Sequence, residues 1–135
     1  MHHTIEFAEN PSAAIATTAG TASVEGFRAL CRDVVLDARH RPGTPILVDQ
    51  TELDVSELTP EDTRLIGAAV SGSGAQLGSA SIAIVVASPL AWGLVRQSEA
   101  HANQEQLNVR IFYSREEAAQ WLEAQTTPTE PDDQP

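Results

Sequence analysis

The chain has 135 residues, with 19 acidic side chains against eight arginines and no lysine, and carries a net charge of -11. A polypeptide of this length makes one domain that buries roughly two-thirds of the surface exposed when unfolded, and its charge opposes a phosphate backbone or an anionic leaflet, which excludes nucleic acid as an expected partner. The single cysteine, Cys31, allows no intrachain disulfide; no apolar run approaches the ~20 residues of a membrane span and no basic-then-apolar leader opens the sequence, so the expected location is cytoplasmic.

Residues 4–7 alternate polar and apolar and then meet Asn10 and Pro11, the pattern of a short strand and a turn. A second strand is expected over 13–18, closed by Gly20. Ser23 is placed as the N-cap of a helix with Glu25 in its favourable first turn. Val24, Phe27, Leu30, Cys31, Val34 and Ala38 recur at three- and four-residue steps and form one apolar face, ending before Arg41, Pro42 and Gly43. Residues 45–49 are a short apolar run closing on Asp49, the mark of a strand buried on both faces and therefore paired in parallel.

After an acidic loop over 51–58, Thr59 caps a second helix, with Pro60 where a missing N–H costs little and Asp62 three places on. Leu65, Ile66, Ala69 and Val70 supply its buried face, and the helix is expected to break over 71–74. Gly72, Gly74 and Gly78 read as a helix stop and a flexible connection. A phosphate cradle needs strand, glycine loop and helix in that order, whereas here a helix precedes and a strand follows. Residues 81–87 form the most continuous central strand.

Ser88 and Pro89 repeat the cap-plus-proline start and open a longer helix through Leu90, Leu94, Val95 and Ala102. Residues 109–113 are the last strand; Ser114 and Glu117 have capping-box spacing, and Ala118, Trp121 and Leu122 face inward on a final helix. Strands alternating with capped helices predict an α/β domain with a largely parallel sheet over residues 1–125. Residues 126–135 hold three prolines with Glu130, Asp132 and Asp133 and nothing large and apolar, so that tail is expected to be disordered.

The run from Pro89 through Trp92 to Arg96, then Val109 to Phe112, then Ser114 to Leu122, resembles the C-terminal half of SpoIIAA-like domains, which belong with the STAS superfamily. Asp49 closing its strand and the Thr59-Pro60-Glu61-Asp62 helix start are also similar, and the resemblance covers roughly residues 4–124. It implies a mixed five-stranded sheet, its first strand antiparallel, with four main helices wound as a strand-helix superhelix. Two functions follow from it as alternatives. One is the binding of a small apolar ligand, with reversible membrane association. The other is an anti-sigma-factor antagonist switched by phosphorylation at the start of the second helix, where the family pattern reads Asp-Ser-Ser-Gly. This chain has Leu58, Thr59, Pro60 and Glu61 there, so Thr59 is the matching hydroxyl and the glycine is absent.

In an open parallel sheet, ligands bind beyond the carboxyl ends of the strands, where loops enter helix N-termini. That rim carries Asp49, Gln50, the 51–58 loop, Ser88 and Pro89, with Trp92 one turn into its helix. Asp49 either orients a ligand or satisfies N–H groups of its own loop. Trp92 either lines an apolar pocket or packs in the core beside Leu90 and Leu94. Arg96 reaches an anionic group or makes a surface contact. Cys31 falls on an apolar helix face and reads as an inert buried thiol. His101 and Glu105 stand four apart as a surface pair, and neither they nor His2, His3 and His40 have metal-site spacing.

No serine, histidine and acid set has the local context of a nucleophile elbow. The chain therefore reads as a non-enzymatic binding or regulatory module, without cofactor or metal, that takes a small apolar ligand or a partner protein at the rim. Peripheral membrane contact would have to run through apolar residues. The sequence sets no oligomeric state, homodimers being the commonest soluble assembly.

Overall fold

Strand β1 (His2–Glu9) pairs antiparallel with β2 (Ser12–Thr21) along its whole length, from His2 opposite Ala19 to Glu9 opposite Ser12. From β2 onward every pairing is parallel: β2 with β3 (Ile46–Asp54), β3 with β4 (Ser81–Val85) and β4 with β5 (Asn108–Phe112). The order across the sheet is β1-β2-β3-β4-β5. Between these strands run α1 (Val24–Leu36), α2 (Pro60–Gly72), the single turn α3 (Gly74–Leu77) and α4 (Pro89–Gln104), and α5 (Arg115–Thr126) follows β5. This computed structural model describes residues 1–9, 12–37, 39–104 and 107–126. The expectations placed on Asn10, Pro11, Ala38, Glu105, residues 127–135 and the side chains of His101 and Ala102 lie outside the described residues.

The period-two alternation of side chains along a strand divides the core into two layers. Ile46 and Val48 of β3, Ile82 of β4, and Val109 and Ile111 of β5 face α1, α2 and α4. Leu47, Ala83 and Val85 face the other way, onto Ala118 and Leu122 of α5, which are fully buried. Both faces of the central strands are thus covered by helix, which is why they read as unbroken apolar runs.

All four expected caps form. Ser23 Oγ accepts from the Gly26 N–H at 3.0 Å, Ser88 Oγ from Ala91 at 3.1 Å and Ser114 Oγ from Glu117 at 3.2 Å. At Thr59 the box is reciprocal: its hydroxyl accepts from the Asp62 N–H and its own N–H donates to Asp62 Oδ2, both at 3.0 Å.

The structure departs from expectation in extent rather than type. The segment read as an acidic loop after Asp49 continues β3 to Asp54, because Ala19, Gly20 and Thr21 of a longer β2 pair with Glu52, Leu53 and Asp54 and so bury Leu53. The ladder slips between Thr17 and Ala19, and the buried Thr18 at the slip donates its hydroxyl to the Asp49 carbonyl at 2.9 Å. Helix α2 runs on to Gly72, past the expected break.

The connection after α2 is also held more tightly than a flexible linker. Gly78 adopts φ +66°, and a Cβ there would lie 2.6 Å from Pro42 Cβ, while the Gly43 N–H donates to the Leu77 carbonyl at 2.8 Å. Leu90, placed on the inner stripe of α4, is 54% exposed. The buried stripe is Ala91 with Leu94 and Val95, one position further round the helix.

Candidate functional site

Because successive side chains on a strand point to opposite faces, the neighbours Asp49 and Gln50 at the rim of β3 serve different surroundings. Asp49 looks toward α5. Its Oδ1 accepts from the Thr51 N–H at 3.0 Å and the Thr51 hydroxyl at 2.7 Å, and its Oδ2 accepts from Arg115 Nη1 at 3.2 Å. Arg115 is the first residue of α5, so this carboxylate ties the rim of the central strand to the start of the last helix. The sequence did not single out Arg115; only the fold brings it to a partner 66 positions away.

Gln50 points the other way, toward α1, α2 and α4. There the helices and the sheet leave a cavity of about 110 Å³. The sheet supplies Ala16, Val48 and Ile84, which share one row across β2, β3 and β4, with Gln50 one step nearer the rim. Helix α1 adds Phe27, Leu30 and Val34, and α2 adds Thr63, Ile66 and Val70. Helix α4 adds Ala91, Leu94 and Val95, and Val55 and Leu58 close the rim end after β3. Ala16 and Ala91 are the smallest of the described lining side chains.

Few polar groups touch this cavity. The Thr63 hydroxyl donates to the Thr59 carbonyl at 3.2 Å. Burial pushes the Cys31 thiol pKa up, against a smaller lowering from a hydrogen bond with Ser73, so the sulfur stays protonated. Glu99 borders the cavity and lies 3.7 Å from Arg96 across one turn of α4. Gln50 is 6% exposed, and its amide makes no hydrogen bond among the described residues.

The remaining rim residues do not converge on the cavity. Ser88 is the α4 cap, and Pro89 occupies the exposed first position of that helix. Trp92 stacks on Tyr113, ring centroids 4.7 Å apart and planes 20° from parallel. This pair lines an open groove along the outer side of β5, with Arg96 and Glu99 from α4, Arg110 on the strand and Glu117 from α5. Thr59 is exposed, capping α2 between acidic neighbours; Arg64 holds the Glu61 carboxyl below its usual pKa.

Of the histidines, His3 Nε2 donates to Asp33 Oδ2 at 2.8 Å, bracing β1 against α1, and His40 Nε2 meets the Gln76 carbonyl at 3.0 Å. Among the described residues no three His, Cys, Asp or Glu side chains gather as metal ligands, and no helix is long and apolar enough to cross a membrane.

The sequence matches no protein-family model and no curated protein. Its fold is similar to the crystal structure of an uncharacterised protein of the DUF3478 family with a SpoIIAA-like fold, from Shewanella loihica PV-4. The two chains share 17% identity at a TM-score of 0.58, over 89% of this chain and 91% of that one. The α/β fold expected from the sequence resemblance is thus the fold the chain adopts: a SpoIIAA-like mixed sheet of five strands with four long helices among the described residues.

Proposed function

We propose that this chain is a non-enzymatic module that binds a small apolar ligand between its sheet and the α1, α2 and α4 layer, close to the carboxyl ends of the parallel strands. The observation that carries this reading is the cavity of about 110 Å³, walled almost wholly by hydrocarbon. Interiors normally pack as densely as organic crystals. This space is partly open to solvent, so its apolar wall meets water that a guest would displace. A guest that fills it recovers contacts the protein cannot make by itself, without breaking a polar network.

Volume also bounds the guest. An engineered apolar cavity of ~150 Å³ in another protein stays dry and takes benzene or xenon. A space of about 110 Å³ suits a compact molecule and is too short for an acyl chain of membrane length.

The test is a titration of the protein with xenon and with cyclopentane, followed by methyl resonances of the isoleucines, leucines and valines. Shifts confined to the lining methyl groups, those of Leu30, Val48, Ile66, Ile84, Leu94 and Val95 among them, and abolished by the cavity-filling Val95→Phe, are expected. Uniform or absent shifts refute the reading.

A further inference from the structure

We infer that the guest is neutral and carries one hydroxyl or carbonyl group, held by the side-chain amide of Gln50. This rests on the binding reading above and adds the chemical class of the ligand.

Register fixes where the amide sits. Val48 and Gln50 share a face of β3 and both line the cavity, with Gln50 one step nearer the rim. It is 6% exposed and has no hydrogen-bond partner among the described residues. The buried polar side-chain atoms without a partner among the described residues are His40 Nδ1 and Ser71 Oγ, so the Gln50 amide keeps contact with solvent, and a guest's polar group can take the place of that water.

The other polar atoms of the wall are engaged elsewhere. Thr63 donates to a backbone carbonyl, Cys31 is bonded to Ser73, and Glu99 lies beside Arg96. Gln50 is thus the one uncommitted hydrogen-bonding side chain among the described lining residues. An amide offers both a donor and an acceptor, so it matches a hydroxyl in either sense or a carbonyl in one.

Charge is selected against. Among the described residues no cationic side chain lines the cavity, and Glu99 there already lies beside Arg96, so a carboxylate would give up hydration against hydrocarbon without gaining a partner. The predicted guest is an alcohol or ketone with a compact apolar body.

The experiment compares cyclopentanol, cyclopentane and pentanoate on the full chain and on two variants, Gln50→Leu and Gln50→Met, by methyl-shift titration. Circular dichroism checks that each variant is folded, and Met preserves the length of the replaced side chain. Wild type should bind cyclopentanol, and both variants should lose about tenfold in that affinity while cyclopentane binds as well or better. Pentanoate should bind wild type at least tenfold more weakly than cyclopentanol. Cyclopentanol affinity unchanged in both variants, or pentanoate equal to cyclopentanol, overturns the inference while leaving the cavity reading intact. Failure of both cyclopentane and cyclopentanol to bind wild type overturns the cavity reading itself.

Discussion

Truncating Leu30 to alanine tests whether the walls of the cavity are rigid. Leu30 is 5% exposed on α1 and borders the space directly. Its isobutyl group, at ~0.8 kcal/mol per buried methylene, represents about 2.4 kcal/mol of transfer free energy. If the sheet and the two flanking helices hold their positions, the deletion opens roughly 70 Å³ more void, which at ~24 cal/mol per Å³ adds about 1.7 kcal/mol. The predicted loss is therefore about 4 kcal/mol, toward the upper end for Leu→Ala, because the site already fails to collapse around a void. Urea unfolding read by tryptophan fluorescence should show the midpoint falling by about 2 M for a slope near 2 kcal/mol per molar. The enlarged space then exceeds the ~150 Å³ that accommodates benzene. Benzene at a hundred times its Kd should restore about 2.7 kcal/mol to Leu30→Ala and far less to wild type. A loss under about 1.5 kcal/mol with no benzene rescue would mean that the helices close over the gap, and the argument for a preformed binding space would fail.

Acid titration should show the His3 and Asp33 contact. Hydrogen bonding from His3 holds the Asp33 carboxyl below the ordinary value of 3.8, so its contribution is complete above that pH and is lost as the pH falls through the lower folded-state pKa. Asp33→Asn should therefore lower stability slightly at neutral pH, converge on wild type at low pH and make the acid limb of a stability-pH curve shallower; an unaltered limb contradicts the assignment. Thr59→Ala removes one half of the α2 capping box and should lower stability by about 1 kcal/mol, whereas Thr59→Ser should match wild type in thermal melts. Gly78→Ala places a Cβ 2.6 Å from Pro42 in a left-handed residue and should cost about 2 kcal/mol or more by the same melts. Gly72→Ala, at the end of α2 with open space around the new methyl, should instead gain about 0.5 kcal/mol.

What the residues foretold and what they did not follow one physical line. Local chemistry was legible: each cap is a side chain meeting an amide three positions away, and each buried strand is a run whose two faces both need covering. Thus Ser23, Thr59, Ser88 and Ser114 were placed where the structure has them. The extension of β3 to Asp54 was hidden because Thr51, Glu52 and Asp54 read as loop chemistry, and only the added length of β2 recruits them to the ladder. The exposure of Leu90 was hidden for a smaller reason, since one step along α4 turns a side chain by about 100° and the stripe begins at Ala91.

The site shows the same division at finer grain. Asp49 and Gln50 were grouped as one rim from their adjacency in sequence, but a strand sends neighbours to opposite faces. One carboxylate is therefore spent on Thr51 and Arg115 in the α5 layer, while the next residue's amide is left in the α1, α2 and α4 layer beside a largely apolar cavity. Periodicity can announce that Val48 and Gln50 share a face. It cannot announce that Ala16 and Ala91, each an ordinary core residue, line one space from elements about 75 positions apart in the chain. A cavity is a property of what several elements jointly fail to fill, so the polar residue at its edge acquires its meaning only when the layers are assembled. Replacing Ala16 or Ala91 with a larger residue should accordingly abolish guest binding without touching Gln50, and replacing Gln50 should alter which guests are held without closing the space.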